Sequence, residues 1–204
     1  SRDLLSILTE ADVSNVALPY MMSRNIDLGS VEVRATRITY VGELGWELYV
    51  PTEYAVNVYD SIITAGETLG LRLAGFHAME SLRIEKAYRA WGMDIVDQDT
   101  PLEAGLGFAV AFDKGVDFAG REALVKQLEQ PLKKRLAIFT VNESEPLLLG
   151  DEPIYRDGVI VGRTTCGAYG HTLGRSVGMG YIENESGVDP AFLRDGSYEI
   201  EIAA

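Results

Sequence analysis

The sequence predicts an α+β chain. A mixed helix and antiparallel-sheet domain is expected over residues 1–130, followed by a small C-terminal β-barrel over 131–204. Three observations carry this. Residues 37–51 read as two strands around a glycine-bracketed turn, apolar helical stripes recur between residues 53 and 129, and helical periodicity stops at Lys133. Beyond Lys133, closely spaced glycines divide what read as short strands, the pattern of a small barrel or sandwich.

Taken in order, residues 1–23 read as helical, with Leu4, Leu5, Ile7 and Leu8 at helical spacing and a second short helix after Ser14. Val31 to Val41 alternates as a strand. With the turn centred on Glu43–Leu44 between Gly42 and Gly45, Tyr40 would face Glu47 and Ile38 would face Tyr49. Tyr40, Glu47 and Tyr49 would then share one face, and Trp46, Leu48 and Val50 the other. Such a carboxylate–phenol face is either an ordinary solvent face or a recognition surface.

Thr52 is expected to cap a helix that ends near Gly66 or Gly70, and 77–89 reads as another, stopped by Gly92. Asp94, Asp97 and Asp99 suggest a solvated loop and lack the glycine and closing glutamate of a calcium loop. Gly120 to Glu129 is helical up to Pro131. Leu136–Val141 is a strand, Asp157–Gly158 marks a hairpin within 153–161, and 178–182 and 198–202 are strands.

Composition narrows the function classes. The 204 residues are 47% hydrophobic with a formal charge of −13, and mean hydropathy is +0.02. An acidic chain without a basic stripe repels phosphates, so no nucleic-acid partner is expected. No apolar run approaches the roughly 18 residues of a membrane span, so no membrane partner is expected either. Lys133-Lys-Arg135 reads as a solvated strand entry. One cysteine, Cys166, excludes an internal disulfide and fits a reducing compartment: the cytoplasm, or the mitochondrial matrix in a eukaryote. It reads as a small buried side chain with no base beside it. His77 and His171 lack ligand spacing, so no metal site is expected. Gly105-Leu-Gly107 lacks the third glycine of a dinucleotide fingerprint. The start, Ser1-Arg-Asp without Met, suggests an excised fragment.

Tyr40-Val-Gly-Glu-Leu-Gly-Trp-Glu47 resembles the Tyr-Thr-Gly-Glu-Asp-Gly-Phe-Glu signature of the glycine-cleavage T-protein (aminomethyltransferase) family. Ala78-Met-Glu-Ser-Leu-Arg-Ile-Glu85 resembles its Ala-Arg-Asp-Ser-Leu-Arg-Leu-Glu helix. Pro101 to Phe108 resembles its next pocket segment, and Gly174 to Tyr181 its Met-Gly-Tyr strand. Ser81 to Gly92 is similar above all to the folate-binding portion of dimethylglycine and sarcosine dehydrogenases. The resemblance implies a tetrahydrofolate site with Glu47 accepting hydrogen bonds from the pterin's amino-pyrimidine edge, Tyr40, Leu48 and Tyr49 beside it, and Phe108 stacking on the folate. Met79 replaces the family's folate-contacting arginine, and Arg83 matches only a second, structural one. The family's catalytic aspartate lies upstream, so no catalytic residue is expected here. FAD would belong to the parent chain, and the upstream flavin and N-terminal folate regions are the expected partners. A plain T-protein, a related folate-dependent demethylase, and a structural domain docked on a flavin domain without folate binding are the alternatives.

Overall fold

The computed structural model describes residues 1–143 and 146–202. They form two compact units, Ser1–Met79 and Glu80–Ala204.

The first unit is a three-stranded antiparallel sheet with helices on one face. Helix α1 (Arg2–Leu8) precedes strands β1 (Ser23–Leu28), β2 (Val31–Thr36) and β3 (Glu47–Tyr49), ordered β1-β2-β3. Helix α2 (Ala55–Gly66) follows a single 3-10 turn begun by Thr52. Alternation decides the faces. Val31, Val33 and Ala35 of β2 and Ile26 and Leu28 of β1 are buried against Leu5, Val13 and Val58, while Glu32 and Arg34 are exposed. Trp46, Leu48 and Val50 pack against the same core, as the alternation around β3 predicts.

Three expectations fail here. Within residues 1–23 helix is limited to α1. The Asp12 carboxylate accepts from Ser14 N at 2.8 Å and Ser14 Oγ accepts from Ala17 N at 3.3 Å. These side chains hold turns in place of a helix, and Pro19 follows. Strand β1 went unread because its exposed Ser23, Arg24 and Asn25 hide the alternation. The two-residue turn is in fact a ten-residue connection, 37–46. Glu47 lies across from Thr36 and Tyr49 across from Arg34, so Tyr40 and Ile38 lie outside the ladder with β3.

The second unit is a five-stranded antiparallel sheet ordered β4-β7-β6-β5-β8. Its strands are β4 (Lys134–Thr140), β5 (Pro153–Arg156), β6 (Val159–Gly170), β7 (Arg175–Glu183) and β8 (Tyr198–Ile200). The edge strands β4 and β8 share one core: Phe139, Tyr198 and Ile200 pack on Ile154, Ile182 and Val188. The sheet therefore curls toward a barrel. Interior strand β7 is buried on both faces, with Val177, Met179 and Tyr181 turned to a second core containing Leu136, Cys166 and Ile84. Asp157 and Gly158 both have positive φ, 52° and 80°, as the predicted hairpin turn requires.

The glycines after Gly162 do not mostly separate strands; several lie within β6 and β7. A Cβ on Gly162 would stand 1.8 Å from Tyr181 O, and one on Gly180 2.4 Å from Arg163 O, so these glycines permit close backbone approach. Before the barrel, helix α3 (Phe76–Glu85) ends earlier than expected, with Ala87 left-handed at φ 54°. Helix α4 (Arg121–Leu128) lies within the predicted span, and a short α5 (Pro190–Arg194) is capped by Asp189.

The aspartate loop is solvated only in part, with Asp97 exposed. Asp94 is buried and Asp99 nearly so. Arg83, fully buried, donates through Nη1 to Asp94 Oδ2 at 2.5 Å and to Tyr88 O at 2.9 Å. Its Nε and Nη2 reach Glu80 Oε2 at 2.8 and 2.5 Å. Asp94 also accepts from Ala90 N at 2.9 Å and from Thr165 Oγ1 at 2.6 Å. Lys134 pairs with Asp99 at 2.5 Å and lies over the Tyr181 ring, so only Lys133 of the basic triplet fits a solvated strand entry.

Removing one partner of a buried ion pair strands the other charge. Arg83→Leu is therefore expected to lower the stability of the second unit by about 3–5 kcal/mol. Chemical denaturation measures it, and a loss under about 1 kcal/mol would make the network peripheral.

Candidate folate-recognition face

Strand β3 is short, but its two ends differ in chemistry from its middle. Leu48 turns into the first core, so Glu47 and Tyr49 share the opposite, open face of the sheet. Both are exposed, Tyr49 at 57%. The Tyr49 hydroxyl donates to Glu47 Oε2 at 2.6 Å. Among the described residues Glu47 Oε1 has no partner and remains open as an acceptor. The hydrogen bond to Glu47 is the first cause of a raised Tyr49 pKa, with the carboxylate charge second. Arg34, across the ladder, pulls it the other way.

Thr36 and Ser23 continue the row across the sheet from Glu47, their hydroxyls 2.8 Å apart. The connection 37–46 rises from this end. Gly42 takes φ 77°, and a Cβ on Gly45 would stand 2.8 Å from Ile38 O. Arg37 stacks over the Trp46 ring with its carbon 5.2 Å from the centroid. Arg37 Nε and Trp46 Nε1 are buried with no hydrogen-bond partner among the described residues. Tyr40 is half-buried in this connection and already engaged.

The structure thus joins Glu47 with Tyr49 and shows that Leu48 has only its backbone to offer on the open face. Phe108 belongs to the second unit, in a 3-10 turn over Gly107–Ala109, with its ring 86% exposed. Arg34 and Thr36 pair with β3 as well, a pairing that a two-residue turn would have ruled out.

Other sequence candidates resolve into structure. Burial, then the Asp94 carboxylate, pushes the Cys166 thiol up to about 12. His77 and His171 are exposed, each edge-on to a neighbouring aromatic ring. No group of three or more His, Cys, Asp or Glu that could hold a metal occurs among the described residues. Among them, no helix is long and apolar enough to cross a membrane.

Two family models cover the chain. Residues 1–114 match the GCVT N-terminal domain, and residues 134–204 match the glycine cleavage T-protein C-terminal barrel domain. The chain belongs to the glycine-cleavage T-protein family. It is 42% identical to mitochondrial sarcosine dehydrogenase of Mus musculus over 203 residues, covering 98% of this chain and 22% of the relative. It is 39% identical to the mitochondrial pyruvate dehydrogenase phosphatase regulatory subunit of Mus musculus over 213 residues, covering 98% of this chain and 24% of the relative. The chain thus spans about a quarter of these relatives' length. The fold matches the solved structure of glycine cleavage system aminomethyltransferase T from Bartonella henselae. That match has a TM-score of 0.75 at 23% identity, covering 89% of this chain and 48% of that one. A mixed helix and antiparallel-sheet fold with a barrel-like C-terminal sheet is therefore the family's fold.

Glu47→Gln removes the carboxylate charge and turns the charge-assisted bond into a neutral one, weakening the two largest influences that raise the Tyr49 phenol. The Tyr49 contribution to an ultraviolet alkaline titration, isolated by difference from Tyr49→Phe, should then move to lower pH. A thiol held near 12 is protonated at pH 8. Cys166 should therefore resist a disulfide reagent in the native protein and react on denaturation.

Proposed function

We propose that this chain is the folate-binding, aminomethyltransferase-type part of an N-methylglycine dehydrogenase acting on dimethylglycine or sarcosine. Its role would be to hold tetrahydrofolate while a one-carbon unit is passed to it. The observation that carries the reading is the Glu47 carboxylate: exposed, fixed on one oxygen by Tyr49, and open on the other. A planar edge with two donors matches a carboxylate, and a charged acceptor strengthens each bond. The Glu47 carboxylate suits the group, since it can accept from the donors of an amino-pyrimidine edge.

Within this reading Glu47 would hold the pterin edge. Tyr49 would orient that carboxylate by its hydroxyl, Tyr40 would border the site from the connection, and Leu48 would contribute backbone. Phe108, in the second unit, would offer a separate stacking surface. When bound, tetrahydrofolate supplies the amine nitrogen that takes up the one-carbon unit. The chain's residues bind and orient, and none of those named need exchange a proton. Oxidation of the amine is assigned to FAD held elsewhere in the natural protein, and the flavin and N-terminal folate regions are its proposed partners. The compartment is the mitochondrial matrix in a eukaryotic host and the cytoplasm in a bacterial one.

Likeness to a phosphatase regulatory subunit favours one competing reading, in which the fold serves docking and Glu47 is simply hydrated. Calorimetric titration of the natural protein with 5-formyltetrahydrofolate separates the two. Glu47→Gln should weaken binding by about 10- to 100-fold, the range for hydrogen bonds to a charged group. Equal affinity for wild type and variant would sink the folate assignment.

A further inference from the structure

The open face of the first sheet is a grid of side chains set by the ladder. Ser23, Thr36 and Glu47 form one row across the three strands, and Asn25, Arg34 and Tyr49 form the next on the same face. Arg34 therefore stands directly across from Tyr49 and diagonal to Glu47. Diagonal neighbours on one face have Cβ atoms roughly 7–8 Å apart, within the joint reach of two long side chains. All three of Arg34, Glu47 and Tyr49 are exposed.

Its lack of a counter-ion sets Arg34 apart. The chain has 31 acidic residues against 18 lysines and arginines, and Asp27, Glu32 and Glu47 share this face with Arg34. Among the described residues the Arg34 side chain nevertheless makes no hydrogen bond and no ion pair. Glu32 accepts instead from Asn25 Nδ2 at 3.3 Å, and Glu47 from the Tyr49 hydroxyl at 2.6 Å. The face thus offers a carboxylate with one open oxygen and, one diagonal away, a guanidinium whose donors are uncommitted.

We propose that Arg34 is a specificity-determining residue of the Glu47 site, donating to a ring oxo group that neighbours the donors Glu47 accepts; this rests on the folate reading. The recognition edge of a pterin runs amino, ring N–H, oxo: two donors and then an acceptor. A carboxylate satisfies the donors but repels the lone pairs of the oxo group. A guanidinium beside it completes the set with a charge-assisted bond. The opposite charges also fix which way round the ring lies, since reversal would set the oxo group against Glu47 and the amino group against Arg34. A 2,4-diamino ring, which has a donor where the pterin has its oxo group, is rejected by the same cation.

The test measures the affinity of the natural protein for 5-formyltetrahydrofolate and for the 2,4-diamino analogue of the same compound, with Tm as a control. Arg34→Met should weaken binding of the oxo compound about tenfold, the low end for a hydrogen bond to a charged group, with little change in Tm because the side chain is exposed. The preference for the oxo compound over its diamino analogue should shrink by the same factor, which a general loss of structure would not produce. Arg34→Lys keeps a cationic donor and should restore part of that preference. Wild-type affinity in Arg34→Met, with Glu47→Gln impaired, overturns the role of Arg34 and leaves the folate reading standing. An equal loss for both compounds also overturns it, since Arg34 would then act without reading the oxo group. Wild-type affinity in Glu47→Gln overturns both readings.

Discussion

The second unit is built around one buried cation. Desolvation alone would pull the Arg83 pKa down, but the Glu80 and Asp94 carboxylates outweigh it and hold the guanidinium charged. Its donors reach the helix that carries it, the turn at Tyr88 and the loop at Asp94, and Asp94 in turn reaches β6 through Thr165. A single side chain therefore ties α3 to the loop and, through Asp94, to the barrel strands. A hydrophobic residue of similar volume cannot do this, because it would leave Asp94 buried without a counter-charge.

The first unit works by a different constraint, the period of two along a strand. One face of its sheet must be apolar to cover α1 and α2, so the other is left for polar residues. Glu47 and Tyr49 are displayed because Leu48 is needed inside. A polar pair on that face is thus a by-product of core alternation, and its hydrogen bond uses two residues that the pleat already places side by side.

Where the chain obeys strong local rules, it was legible. The Asp157–Gly158 turn, strand β4 and the helix before Pro131 are legible within a residue or two, and so is the sharing of one face by Glu47 and Tyr49. Legibility failed where side chains overrode local pattern. Asp12 and Ser14 turn the chain where its apolar spacing suggested helix. Asp94 looks like loop polarity until its partner, eleven residues away on α3, is known. The misplacement of Tyr40 had one cause: two glycines framing two residues imitate a hairpin turn, while the ladder had already ended at Thr36. The family motifs located Glu47 without that geometry, since a motif is indifferent to how its loop is folded.

The ten-residue connection between β2 and β3 bears on how such proteins diverge. Inside β3, a shift of one position would reverse every side chain and bury Glu47. In the connection, added or lost residues change closure entropy only slowly, by about 0.6 kcal/mol for a doubling of length. Insertions, deletions and substitutions should therefore accumulate between Arg37 and Trp46 across descendants of this chain. The ladder residues on either side would stay in register, so the surroundings of Glu47 can drift while its exposed carboxylate is inherited unchanged.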